Sequence, residues 1–345
     1  MTEDARETVS TFEARANAVD KRWRMAWYAS LAVATLALVG LGRDAVGISA
    51  DNGERVRRGS MARLDLSEEC SRDEAAGGRA LTAATPLRLA VAPMTSPERS
   101  LELYQGLADY LGVALDRPAS IILRNTYGEV NGLVRCGQCQ LAYVCTAAYV
   151  DGQRSFGMQA LAVPVVRGEA TYRSYIVVPD ASDAASLLDL RGMRFASADR
   201  LSTSGWLFPA STLKREGVDP ATFFSQHVIT GSHDRSVEAV ASGHVDGAAV
   251  ESLVYDRMVA DQPELAERVR IVAQSDPFGM PPMVVPSGLS PGLRDELRDA
   301  LTQMHLGEDG QKVLAHMGVD RFVLPDSQAY DGVRELMDEV WEPAS

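Results

Sequence analysis

Residues 202–205 read Ser-Thr-Ser-Gly, three hydroxyl side chains and a glycine at the start of a run that can be helical. One small hydroxyl residue is enough to cap a helix. Three in a row, with a glycine that lets a ligand approach the backbone, suit an anion. Ser202, Thr203 and Ser204 offer amide and hydroxyl donors where the helix dipole favours negative charge, and Gly205 keeps that end sterically open. A plain capping motif is the alternative.

The elements that must position this cradle are α/β in pattern. LRLAVAP (87–93) is an apolar run of strand length. Ser96 and Pro97 then suit the cap and first turn of a helix carrying Leu101, Tyr104, Leu107 and Leu111 at helical spacing. ASIILRN follows as a second strand, so the unit is strand–helix–strand with a parallel sheet. Thr126 and Glu129 match a capping box, a helix begins at Tyr127, and QLAYV (140–144) reads as a buried strand.

The segment Thr126–Val144 is matched by Ser232–Val250 at a constant offset of 106 residues, pairing Thr126 with Ser232, Tyr127 with His233 and Gly137 with Gly243. Two related α/β lobes would each point a helix start, carrying a polar ring, at the cleft between them. Ligands of such sheets sit outside the strands' C-terminal ends. That places Glu251 at the site as an acceptor for a ligand amine or a protonated phosphoryl oxygen, and Thr95 and Ser96 by the same positional logic. Asp246 is read as bracing a turn.

Cys136 and Cys139 form a CxxC, but the second half of a tetrathiolate set is missing and no histidine is near in sequence. A Cys136–Cys139 disulfide or buried thiols are preferred to redox or metal chemistry. No metal and no cofactor are expected.

The formal charge of −13 argues against nucleic acid or an anionic membrane surface as partner, yet amide groups can bind a small anion inside an acidic protein. Residues 25–42 carry no charge over 18 residues, about 27 Å as a helix. Lys21, Arg22 and Arg24 precede them, so the positive-inside rule keeps residues 1–24 cytoplasmic and exports the rest. Residues 25–46 are thus a transmembrane anchor in the inner membrane or, alternatively, a cleaved signal segment that leaves a soluble periplasmic body. The long, partly acidic preceding stretch favours the anchor. Residues 51–85, polar and without hydrophobic periodicity, read as a linker.

The segments YRSYIVV, DLRGMRFASAD, STSGWLFP, TGSHDRSVEAVASGHVDGAAVE and SDPFGMPPMVV occur in order between Tyr172 and Val285. Together they resemble the phosphonate/phosphite/phosphate-type periplasmic substrate-binding proteins of ABC importers, over about Leu87 to Tyr330. The resemblance implies a two-lobed, type II-like periplasmic-binding-protein fold closing over its ligand. Lobe one would be 87–172 plus 285–345 and lobe two 173–284, with hinges near Thr171–Tyr175 and Ser275–Pro282. It also implies ligand contact by His233, with Tyr127 reaching the same anion from the opposite lobe. Two departures stand out. Gln140 replaces a common aspartate, and Val144 and Cys145 stand where a pocket aromatic is expected.

The reading is therefore a monomeric binding protein that hands a small phosphorus oxyanion to an ABC permease, with a ligand-sensing ectodomain acting through a membrane partner as the alternative. An enzyme is disfavoured, because no nucleophile–base order, metal-ligand spacing or nucleotide loop stands out.

Overall fold

The computed structural model describes residues 86–341. The segments 1–24, 25–46 and 51–85 lie outside the described residues, as do 342–345. Among the described residues no helix is long and apolar enough to cross a membrane.

The run at 87 folds as β1 (Leu87–Val91), followed by α1 (Pro97–Ala114), β2 (Ala119–Leu123), α2 (Tyr127–Arg135), β3 (Leu141–Tyr143), α3 (Thr146–Phe156) and β4 (Gln159–Val165). The chain crosses through β5 (Thr171–Tyr172) into β6 (Ser174–Pro179) and β7 (Arg194–Ser197). A π-helical turn (Thr203–Leu207) leads into α4 (Phe208–Arg215), the short α5 (Pro220–Phe223), β8 (Gln226–Ile229), α6 (His233–Ala241), β9 (Gly247–Glu251), α7 (Ser252–Asp261) and β10 (Val269–Gln274). It returns through β11 (Phe278–Gly279) to β12 (Met283–Val285), α8 (Pro291–Gln303), α9 (Glu308–Met317), β13 (Arg321–Val323) and α10 (Asp331–Trp341).

The first sheet has the order β13-β4-β12-β3-β1-β2 and the second β10-β6-β9-β7-β8. In each, a first strand pairs in parallel with two neighbours, and an antiparallel strand separates the third from the next. The crossovers pair with each other as an antiparallel β5–β11 ladder.

The internal repeat is present in the fold. Helices α2 and α6 both span nine residues, and both are followed by a glycine in the left-handed region, Gly137 at φ 63 and Gly243 at φ 72. Equivalent side chains brace equivalent strands. Gln140 Oε1 accepts the Arg88 N–H at 2.8 Å, and Asp246 Oδ2 accepts the Arg194 N–H at 2.8 Å. The amide at Gln140 thus does in one sheet what the carboxylate at Asp246 does in the other.

Three details correct the sequence reading. Met283–Val285 pairs with both β3 and β4, so the change of sheet falls between Gly279 and Met283, and a boundary at 284/285 would cut a central strand. Pro281 and Pro282 stand just ahead of that strand, where a missing N–H costs no ladder bond. Cys136 is disulfide-bonded, while Cys139 and Cys145 are free and buried, so the CxxC is not an internal disulfide. Finally, α10 is shared between the sheets. Asp338 pairs with Arg154 of α3 at 2.6 Å, and Glu339 pairs with Arg215 of α4 at 2.8 Å.

Asp246 accepts from the Arg194 backbone N–H, Nε (3.1 Å) and a terminal nitrogen (2.7 Å). Asp246→Ala leaves the start of β7 unbraced and is expected to lower stability by about 1–2 kcal/mol, read as a lower urea midpoint at unchanged slope. An unchanged midpoint would show that the brace contributes nothing.

Candidate functional site

Ser202 is extended, and its carbonyl accepts from both Trp206 and Leu207 N–H at 3.0 Å, the doubled acceptance of a π turn. Its hydroxyl oxygen accepts from the Gly205 N–H at 2.9 Å and lies 3.2 Å from His233 Nε2. A Cβ at Gly205 would stand 2.9 Å from Ser202 Oγ and 3.2 Å from His233 Cε1. The glycine therefore admits the imidazole against the turn, a tighter role than leaving the helix end open.

His233, the first residue of α6, is fully buried. Its Nδ1 accepts the Glu251 N–H at 3.2 Å, so the ring's lone pair is used there and Nε2–H donates to Ser202 Oγ. Burial draws its pKa down to about 4, against a rise from Asp234. The ring is neutral near pH 7 and adds no positive charge.

Thr203 Oγ1 accepts the Ala147 N–H at 2.9 Å in the first turn of α3, and the Cys145 thiol approaches it at 3.9 Å. This hydroxyl oxygen thus joins the two sheets. Two buried hydroxyls are left over. Ser204 Oγ has no hydrogen-bond partner. Tyr127, from the opposite sheet, turns its buried hydroxyl toward Ser202 without a bond of normal geometry, and burial holds the phenol well above its ordinary range.

Glu251 ends β9 with its carboxylate Oε2 4.0 Å from His233 Nε2. Burial raises its pKa to about 7. It forms part of the wall of a cavity of about 370 Å³ between the sheets, together with Thr95, Tyr104 and Tyr143. Thr95 is half-buried and shares a 3.0 Å hydrogen bond with Ser100, so it stands on the cavity wall and apart from the hydroxyl cluster. Ser202, Ser204, Gly205, His233 and Glu251 come together on one side, facing Tyr127 and the Thr203–Ala147 link.

Several neighbours were not anticipated. Asp199 Oδ2 accepts the Tyr127 N–H at 3.1 Å. Both oxygens of Asp234 accept the Ser96 N–H at 3.0 Å, and Met94 O accepts the His233 N–H at 3.0 Å. An acid in the first turn of a helix reads from sequence as a dipole partner, and nothing local says that its acceptor role reaches across a cleft. The expected lack of pocket aromatics is also corrected. Tyr104 and Tyr143 lie on the cavity wall with ring centroids 5.4 Å apart. Among the described residues no group of His, Cys, Asp and Glu can hold a metal ion.

Residues 89–330 match the family model described as "ABC transporter, phosphonate, periplasmic substrate-binding protein". The Phosphate-import protein PhnD of Mycolicibacterium smegmatis is 28% identical over 232 residues, covering 61% of this chain and 72% of that protein. A binding-protein component of an ABC phosphonate transporter from Pseudomonas aeruginosa superposes with a TM-score of 0.69 at 21% identity, covering 73% of this chain and 85% of that one. PhnD1 of Prochlorococcus marinus, in complex with methylphosphonate, gives a TM-score of 0.66 at 19% identity over 74% and 98% of the two chains. These likenesses identify the architecture as the two-lobed periplasmic-binding-protein fold.

The raised carboxyl of Glu251 makes stability depend on pH. A folded-state value near 7 against an ordinary 4.5 means that the folded protein holds this proton more tightly than the unfolded chain. The associated stability is complete below about pH 4.5 and lost as pH rises through about 7. Glu251→Gln is expected to stabilise the protein by about 2–3 kcal/mol at pH 8 and not at pH 4.5, measured by urea denaturation at both. An equal effect at the two values would place the carboxylate in water.

Proposed function

Because the chain belongs to the periplasmic substrate-binding protein family of phosphonate ABC transporters, we propose that its cleft captures a small phosphorus oxyanion for ABC-type import. The observation that carries this reading is the pair of buried, unpartnered hydroxyls, Ser204 and Tyr127, facing one another's lobe beside Ser202 and His233. Buried polar groups seldom stay unsatisfied, and a tetrahedral oxyanion has acceptors for both.

The donors are uncharged: hydroxyls and the N–H groups of a helix start, with the neutral imidazole of His233 holding Ser202 in place. Ser202 Oγ accepts from Gly205 and from the imidazole, so its own hydrogen can point to the ligand. Glu251, near its pKa at neutral pH, is an acceptor for a phosphoryl hydroxyl or an ammonium group of the ligand. Thr203 and Thr95 act at the margins, Thr203 through the α3 start and Thr95 from the cavity wall.

The cluster is poorly suited to catalysis. With Nδ1 receiving the Glu251 N–H, His233 has no lone pair at Nε2 with which to take the Ser202 proton. The strand orders support a type II-like arrangement, and the short β5–β11 ladder is the natural place for a hinge. The open lobes bind the anion, and contacts from both favour closure. Residues 25–46 would tether the body to the inner membrane, beside a permease that receives the ligand.

Calorimetry on the full chain in detergent, with phosphate, phosphite, methylphosphonate and sulfate, tests the reading. At least one phosphorus oxyanion should bind, with sulfate weakest, since it has no proton to give Glu251 near pH 7. Ser202→Ala should weaken binding about tenfold or more, as expected for the loss of one hydrogen bond to a charged group, and His233→Ala should weaken it as well by releasing the Ser202 hydroxyl that the ring orients. Absence of binding by every phosphorus oxyanion, or unchanged affinity in both variants, would overturn it.

A further inference from the structure

The hydroxyl cluster accounts for an oxyanion but not for the cavity next to it. That cavity measures about 370 Å³. At a share of about 30 Å³ per water-sized group, it has room for on the order of ten non-hydrogen atoms. A bare phosphate or a methylphosphonate held by Ser202, Ser204 and Tyr127 would leave it empty.

Its wall is mixed. Glu251 stands at the end near the cluster, 4.0 Å from His233 Nε2, with Tyr104 and Tyr143 beside it. The Glu251 side chain is only 7% exposed, and its carboxylate accepts no hydrogen bond among the described residues. Standing on the cavity wall, it offers an acceptor to a donor group of a ligand. The wall also has an apolar part made by Met280, Met283, Leu253 and Phe322, drawn from both lobes. Methionines adapt to irregular apolar shapes, so this part suits a flexible hydrocarbon body. Arginines at the rim are already matched by acids: Arg99 lies 3.7 Å from Asp234, and Arg257 lies 3.7 Å from Asp261. The rim therefore gives no reason to expect a second anionic group.

Resting on the oxyanion reading above, we propose that the ligand is an organophosphonate with an extended amphiphilic substituent: a hydrogen-bond donor close to phosphorus, facing Glu251, and an apolar tail of about five to ten heavy atoms seated against Met280, Met283, Leu253 and Phe322. The size and lining of the cavity, and not the headgroup cluster, set this specificity.

The test is calorimetry on the full chain with phosphite, methylphosphonate, hexylphosphonate and 1-aminohexylphosphonate. The expected order has 1-aminohexylphosphonate tightest and hexylphosphonate next, the former at least tenfold tighter than methylphosphonate. Glu251→Gln should remove most of the gain from the amino group. Leu253→Trp, which fills the apolar end, should reduce the preference for the hexyl compounds over methylphosphonate by at least tenfold, with a melting curve verifying that the variant is folded. Should methylphosphonate or phosphite bind as tightly as the hexyl compounds, the tail subsite is wrong while the oxyanion reading stands. A tail effect without an amino effect removes Glu251 from the assignment. If none of the four binds, the oxyanion reading itself fails and the subsite with it.

Discussion

Helix starts carry N–H groups with no partner inside the helix, and here four of them are buried at a single cleft. Each finds its acceptor on the opposite lobe. Ser96, the N-cap of α1, donates to Asp234. Tyr127 at the start of α2 donates to Asp199, Ala147 in α3 to Thr203, and His233 at the start of α6 to the Met94 carbonyl. The arrangement around the cleft follows from that constraint, because a buried donor left unmatched costs about 1–3 kcal/mol. The contacts between the lobes satisfy these four donors at once. What they leave unmatched is Ser204 and Tyr127, the two hydroxyls.

The two acids that perform this capping are not electrostatically alike. Burial raises the Asp199 carboxyl, against the N–H groups of Leu201 and Tyr127 and the Arg200 charge. Asp234 is also opposed by burial, yet hydrogen bonds from Ser232, Ser96 and Arg235 outweigh it and hold its carboxyl below the ordinary range. Asp234 therefore stays ionised at the rim, facing Arg99 at 3.7 Å. Deeper in, His233 is neutral and Glu251 is only partly ionised near neutral pH. An anion placed here, as proposed, would meet little fixed charge of either sign and would be held mostly by dipoles.

Much of the fold was legible from local pattern. The capping box at Thr126 is present, with Thr126 Oγ1 accepting the Glu129 N–H at 3.1 Å and Glu129 reaching back to the Asn125 N–H at 2.9 Å. The offset of 106 recovered two helices with the same length and the same left-handed glycine stop. Contacts across long sequence separations were not legible. The tight fit of Gly205 against the His233 ring depends on a residue in the next strand–helix unit, and the pairing of Asp234 with Ser96 spans 138 residues. In the stretch 276–285 the prolines dominate the sequence pattern and hide the strand that follows them. Their position, just outside β12, lets a three-residue central strand follow.

The repeat also shows where the lobes diverged. At positions that only brace a strand, different residues do one job, as Gln140 and Asp246 do. At positions facing the cleft, equivalent residues do different jobs. Tyr127 presents a phenol where its counterpart His233 presents an imidazole, and Cys145 reaches Thr203 where its counterpart Glu251 borders the cavity. A ligand bonded to one lobe alone could not bias closure, since it can shift an equilibrium only by the difference in its contacts with the two states. Tyr127 and Ser204 belong to opposite lobes, so under the proposed reading a single ligand would satisfy both only with the cleft shut. That asymmetry, built on an otherwise repeated frame, would let a ligand distinguish an open from a closed cleft.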